Sequence, residues 1–280
     1  MDPSCLVHCL TAEQHRQFEE AGLLTIEDAV PPEMVERLTS AVDRIWVRER
    51  EENGLSPHDT LFYPNFVGRD DLFVELIDWP TTFPKVWRIL GWNIYLYHSH
   101  LGVTPPVAPD TERVKKALGW HQDSGRVNVE IESHPRPRLS LKVAYFLTDT
   151  TELDRGNFYV IPGSHLRDDM ERPADGVTDP VGATAVRVRP GTAVLFDRRL
   201  WHSASPNYSD ITRKVLFYGY GYRWLRPKDD MTVGHLLEGC DPIRRQLLGD
   251  GVNANGHYSP TDNDVPLKVW LQEHTGIVQP

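Results

Sequence analysis

The sequence predicts a mainly β protein with flanking helices, a double-stranded β-helix of the jelly-roll, cupin-like kind. Two observations carry this expectation. Between residues 93 and 226, short runs rich in β-branched and aromatic residues recur, each closed off by Pro, Gly, Asn or Asp, as in sandwiches and jelly rolls. Among them, the triplet His121-Gln122-Asp123 and the distant His202 supply two imidazoles and one carboxylate. That is the ligand set of an iron facial triad, and two packed sheets can bring it together at the mouth of a pocket.

The elements follow in order. Residues 11–50 read as helical scaffold: Thr11 and Gln14 make a capping-box pattern, and Val35, Leu38, Val42 and Ile45 recur at helical spacing after Pro31-Pro32. Gly54, Pro57 and Pro64, set among aromatics, mark 53–65 as an ordered loop. A second helical piece, LFVELIDWPTTFPKVWRILG, is punctuated by Pro80 and Pro84, and NIYLYHSHLGV at 93–103 reads as the first long strand. The Pro-rich, polar stretch 104–116 has the composition of a lid beside a site. LSLKVAYFLTD at 139–149 and FYVIP at 158–162 are strands, ATAVRVR and TAVLFD form a pair separated by the turn at Pro190-Gly191, and TRKVLFYGYGYRW is the last strand. The expected organisation is one domain over 1–280: helical scaffold about 11–92, jelly-roll core about 93–226, and a helical or irregular tail 227–280.

Composition narrows the function classes. The 280 residues are 40% hydrophobic and 25% charged, values of a globular protein, and no apolar run approaches the roughly 18–20 residues of a membrane span. The opening MDPSCLVHCL lacks a basic segment followed by a long apolar stretch, so it does not read as a secretory signal, and cytoplasmic residence is expected. Cys5, Cys9 and Cys240 are odd in number and dispersed, which argues against a disulfide framework. A net charge of −10 with no basic stripe disfavours nucleic acid, so a small molecule is the expected partner.

The chemistry rests on side-chain direction. On a strand, residues i and i+2 share a face, so His121 and Asp123 can reach one metal while Gln122 points elsewhere. His202 lies too far along the chain for local structure to supply it and must arrive on a neighbouring strand. Arg213, in the last strand, can grip a carboxylate bidentately. Lys142 alternates with Ser140, Ala144 and Phe146, opposite Leu141, Val143 and Tyr145. If its set faces the pocket, the buried ammonium calls for an anion; on the other face it reaches solvent. His98 and His100 repeat the ligand spacing without a carboxylate and are candidate substrate contacts, and His165, ending the PGSH turn, is a structural tie. Two alternatives stay open on these residues: a redox-inert cupin-type isomerase or hydrolase using zinc or manganese, and a non-catalytic small-molecule binder.

In its order of segments the chain resembles the phytanoyl-CoA dioxygenase family of iron(II)- and 2-oxoglutarate-dependent oxygenases. The likeness begins near residue 11 with LTAEQHRQFEEAGLLTIEDAVPPEMVERL, which looks like that family's opening helix, short strand and second helix. It runs through WHQD, GNFYVIPGSH, PGTAVLFDRRLWHSASPN and the arginine, and fades after about residue 226. The resemblance implies Fe(2+) on His121, Asp123 and His202, and 2-oxoglutarate with its distal carboxylate on Arg213. Gln122 would lie near that cosubstrate, and Lys142 is the candidate for a further anion contact. Oxygen would be reduced, succinate and carbon dioxide released, and an unactivated C–H bond of a small molecule, such as a secondary metabolite, hydroxylated or otherwise oxidised. Two positions depart from the family pattern: Ala204 stands where many members have a serine, and Ala144 where some have a tryptophan. The carboxylate of Asp123 speaks against the halogenating branch, which has a small residue there. Segments about 55–68, 98–116 and 124–137 are expected to face substrate, and no cation cluster or glycine-rich helix start favours a CoA ester.

Overall fold

The computed structural model describes residues 1–123, 125–230, 232–251 and 260–276. Helix α1 (Ala12–Ala21) opens on Thr11, whose hydroxyl accepts the Gln14 N–H while the Gln14 side chain accepts the Thr11 N–H, closing the capping box. After β1 (Leu23–Ile26), helix α2 (Pro32–Asn53) buries Met34, Val35, Leu38, Val42 and Ile45 along one face. β2 (Leu61–Pro64), α3 (Asp71–Glu75) and α4 (Phe83–Leu90) lead into the long strand β3 (Ile94–Thr104). Then follow α5 (Gly125–Glu130), β4 (Ser140–Phe146), β5 (Phe158–Val160), β6 (Thr184–Val186), β7 (Ala193–Asp197), β8 (His202–Ala204) and β9 (Arg213–Tyr222). The expected tail holds α6 (Pro242–Leu247) and α7 (Pro266–Thr275), while 252–259 and 277–280 lie outside the described residues.

The strands form two antiparallel sheets of a jelly roll, one in the order β1-β7-β4-β9-β3-β2 and one in the order β6-β5-β8. Three expectations are corrected here. Residues 11–50 are not all helical as their periodicity suggests: the short strand that the resemblance implies between the two helices is β1, which edges the large sheet against β7. The stretch 53–65 is not all loop, because β2 pairs with β3 at the other edge. The runs around Pro190-Gly191 are not partners: β6 pairs with β5 in the small sheet, and β7 lies between β1 and β4 in the large one. The turn is a crossing between sheets, held by the Gly191 N–H donating to Phe146 and the Gly191 carbonyl accepting from Val30. Glycine is required there, since φ is +85° and a Cβ would lie 2.5 Å from the Val30 carbonyl oxygen.

Both faces of the large sheet are buried. Leu141, Val143 and Tyr145 pack with α2 and α4 on the outer face, while Ala144, Phe146, Phe196 and Phe217 meet Phe158 and Val160 of the small sheet inside. Lys142 belongs to the inner set. A β-bulge between Leu96 and His98 shifts the register of β3 on β9, so that Leu96 pairs with Tyr220 but His98 pairs with Gly219 and His100 with Phe217. The extra residue flips the phase of the strand. Ile94 and Leu96 go to the outer core, and His98, His100 and Thr104 turn inward beside Phe217 and Arg213. Gly219 makes room for the kink, a Cβ there coming within 3.0 Å of the His98 carbonyl oxygen.

Candidate metal centre and pocket

His121 and His202 are joined by a reciprocal backbone pair, each N–H donating 3.0 Å to the other's carbonyl. The triplet therefore sits on a single bridge beside β8 and not within a regular strand. Each imidazole is tied the same way: His121 Nδ1 lies 3.0 Å from the Gly119 carbonyl and His202 Nδ1 lies 2.7 Å from the Leu200 carbonyl. A carbonyl only accepts, so both Nδ1 atoms carry a proton, and in the neutral form of each ring Nε2 presents the lone pair. Asp123 is anchored by its own N–H to the Arg198 carbonyl at 2.9 Å, and its carbonyl accepts from Asn128. One potential ligand atom from each of His121, Asp123 and His202 falls in a group with no separation above 4.8 Å.

The electrostatics fit a dication. Burial works to raise the Asp123 carboxyl, but Lys142, with His202 behind it, outweighs burial and holds it well below the usual carboxylate range. Lys142 Nζ lies 2.9 Å from both carboxylate oxygens, yet only the approach to Oδ1 has hydrogen-bond geometry. Asp123 Oδ2 is buried without a hydrogen bond and lies 4.0 Å from His202 Nε2. An orphaned carboxylate oxygen facing a bare imidazole nitrogen is an arrangement that a metal ion completes. Burial also pushes His202 down to about 4, which keeps the ring neutral at neutral pH with its Nε2 lone pair free.

These groups open on a cavity of about 480 Å³, lined among others by Phe62, His100, Lys142, Phe196, Arg213 and Lys228. Arg213 is 5% exposed, with its guanidinium carbon 5.7 Å from the Phe146 ring centre and no carboxylate partner among the described residues. Its Nε is buried without a hydrogen bond. Burial lowers Arg213 to about 10, leaving it a cation at neutral pH. Lys142 does face the pocket, but its neighbour is Asp123. Gln122 lines the cavity, and its side-chain amide is engaged within the fold: the NH2 donates to the Arg167 and Arg199 carbonyls and the oxygen accepts from the Arg136 guanidinium. It ties two backbone segments and one guanidinium together beside the ligands. His165 is a structural tie, buried against the Glu19 carbonyl.

His98 and His100 line the cavity together with Lys228, and His98 is bonded in turn to Asp229; nothing in the sequence singles out Lys228 or Asp229. Asp229 comes from the segment after β9 and reaches back across a separation of 131 residues to His98, and nothing local marks such a contact. Burial also holds His98, His100 and His165 below the ordinary value of 6.5. Between 6.5 and those depressed values the unfolded chain binds protons that the folded chain refuses, so stability present above pH 6.5 is lost as pH falls. Each group contributes at most about 1.4 kcal/mol per pH unit. The urea midpoint of the metal-free chain is expected to fall from pH 7.5 to 5.5, and to fall less in His100→Gln. Equal slopes in the two chains would show that His100 is hydrated.

The model of the phytanoyl-CoA dioxygenase (PhyH) family matches residues 18–215. An ectoine dioxygenase from Bordetella parapertussis is 25% identical over 240 residues, covering 75% of each chain. HygX from Streptomyces hygroscopicus, solved with nickel and 2-oxoglutarate bound, superposes with a TM-score of 0.60 at 19% identity, covering 78% of this chain and 90% of its own. SnoK, an alpha-ketoglutarate-dependent carbocyclase from nogalamycin biosynthesis, superposes with a TM-score of 0.58 at 23% identity, covering 83% and 92%. The two structures share the jelly-roll fold described above.

Proposed function

Because this chain belongs to the phytanoyl-CoA dioxygenase family and is thereby an iron(II)- and 2-oxoglutarate-dependent dioxygenase, we propose that His121, Asp123 and His202 hold its iron and Arg213 its cosubstrate. The observation that carries this assignment is the gathering of one potential ligand atom each from His121, Asp123 and His202 within 4.8 Å of one another, with Asp123 Oδ2 buried and free of hydrogen bonds. The iron, supplied with 2-oxoglutarate and oxygen, brings the oxidising power to break an unactivated C–H bond and leaves succinate and carbon dioxide. The residues do the rest. Lys142 pairs with the Asp123 carboxylate, its hydrogen bond going to Oδ1, and so keeps the ligand ionised for the metal. Arg213 pairs the distal carboxylate of the 2-oxo acid, the anion its buried guanidinium lacks. Phe62, Phe158, Phe196 and Phe217 wall the cavity with apolar surface that sheds water and orients a small-molecule substrate, for which the secondary-metabolite class is our reading.

A redox-inert metal hydrolase leaves the buried, unpaired Arg213 without a purpose. The distinguishing experiment is anaerobic titration of the iron(II)-loaded chain with 2-oxoglutarate. A visible metal-to-ligand charge-transfer band is expected, followed by oxygen-dependent release of succinate. Absence of both would refute the assignment.

A further inference from the structure

The pocket carries a second polar array that the metal triad does not use. Asp229 Oδ2 accepts hydrogen bonds from the backbone N–H and the hydroxyl of Ser99. Its Oδ1 lies 2.7 Å from His98 Nδ1, and His98 Nε2 lies 3.0 Å from His100 Nδ1. The His100 ring is clamped between Phe62 and Phe217, with centroid separations of 4.5 and 4.3 Å. Among the described residues nothing bonds to His100 Nε2, and the residue lines the cavity.

The order of donors along this chain is dictated from one end. An ionised carboxylate only accepts, so His98 Nδ1 carries a proton. Burial, reinforced by the nearby Lys142, keeps the imidazoles neutral against the pull of Asp229 on His98 and of Asp123 on His100. A neutral His98 then has a bare Nε2, which accepts from His100 Nδ1–H, and a neutral His100 has a bare Nε2 in turn. We infer that His100 is a specificity-determining residue, presenting a lone pair to the cavity, and that the substrate is a hydroxyl-bearing molecule whose O–H donates to His100 Nε2. Lys142 and Lys228 line the same cavity and repel an ammonium donor, which leaves the hydroxyl as the fitting group. Asp229 and His98 are positioning residues that act through His100. The inference rests on the oxygenase reading only in treating this cavity as the substrate site.

The substitution D229N tests it, because the relay runs backwards in that chain. The Ser99 backbone N–H can only donate, so the carboxamide oxygen turns to it and the NH2 faces His98. His98 Nδ1 then accepts, its Nε2–H donates to His100, and His100 Nε2 becomes protonated. The readout is long-range ¹H–¹⁵N NMR of the imidazoles in the full, metal-stripped chain, with His100 assigned by loss of its signals in His100→Gln. We expect an unprotonated Nε2 in the wild type and a protonated one in D229N. A probe pair, cyclohexanol and cyclohexanone, reads the consequence: the wild type should bind the alcohol more tightly by about fivefold, the worth of one hydrogen bond, and D229N should lose that preference. A protonated His100 Nε2 in the wild type overturns the inference even where D229N does not fold, as does a tautomer that D229N leaves unchanged or a wild type that binds both probes equally. No iron is present in these measurements, so they stand apart from the charge-transfer test.

Discussion

Asp123→Ala is expected to abolish the charge-transfer band and bring succinate release down to background, while also destabilising the metal-free chain by about 3 kcal/mol. The two effects have separate causes. Without Oδ2 the two imidazoles alone face the ion, and the facial site loses its only anionic ligand. Without Oδ1 the Lys142 ammonium, with its side chain 6% exposed, remains buried with no carboxylate beside it. Removing one partner of a buried pair costs far more than removing both, so Asp123→Ala combined with Lys142→Met should recover most of the lost stability and none of the activity. Urea unfolding of the two chains, with parallel succinate assays, checks this. Oxygen-dependent turnover by Asp123→Ala would remove that carboxylate from the metal centre, and a double variant no more stable than the single would show that Lys142 finds water instead.

The division between what can and cannot be read from the chain follows the range of the interactions. The grouping of His121, Asp123 and His202 beside Arg213 in one pocket is legible because the chemistry proposed for them restricts residue type: two imidazoles, a carboxylate and a guanidinium in this order suit the joint binding of a metal and an oxo acid. The capping box at Thr11 and the apolar face of α2 are legible because both are set within a few residues. β1 and β2, four residues each, carry too little periodicity to separate from their helical and loop surroundings, and their identity comes from the partners β7 and β3. For Lys142, alternation correctly groups it with Ala144 and Phe146, but with both sheet faces buried no hydropathy pattern says which face meets the pocket. The hydrogen bonds of Gln122 are not legible either, since its partners Arg136, Arg167 and Arg199 are brought to it by the fold. The inward turn of His98 and His100 depends on a bulge that no residue in β3 announces. Its enabling glycine, Gly219, lies on the opposite strand.

Arg213→Met is expected to raise KM for 2-oxoglutarate by about 100-fold or more, from loss of a buried charge-assisted pair, while changing kcat little once cosubstrate saturates. The guanidinium would grip a carboxylate that takes no part in bond breaking, so its contact is equally strong in the ground and transition states, and uniform binding appears in KM. Lysine should restore only part of the affinity, because a single ammonium cannot reproduce the two-pronged contact and is more strongly hydrated. Two further outcomes separate a cosubstrate clamp from a residue that merely props up β9. With no cosubstrate bound, the buried cation is unpaired, and its Nε makes no hydrogen bond, so replacement by an apolar side chain of similar length should leave the chain as stable as the wild type or more so. And 2-oxopentanoate, whose apolar tail ends where the distal carboxylate would be, should be discriminated against by the wild type and used comparatively well by Arg213→Met. A variant that loses stability and fails with both oxo acids would assign Arg213 to the architecture of the strand instead of the recognition of the cosubstrate.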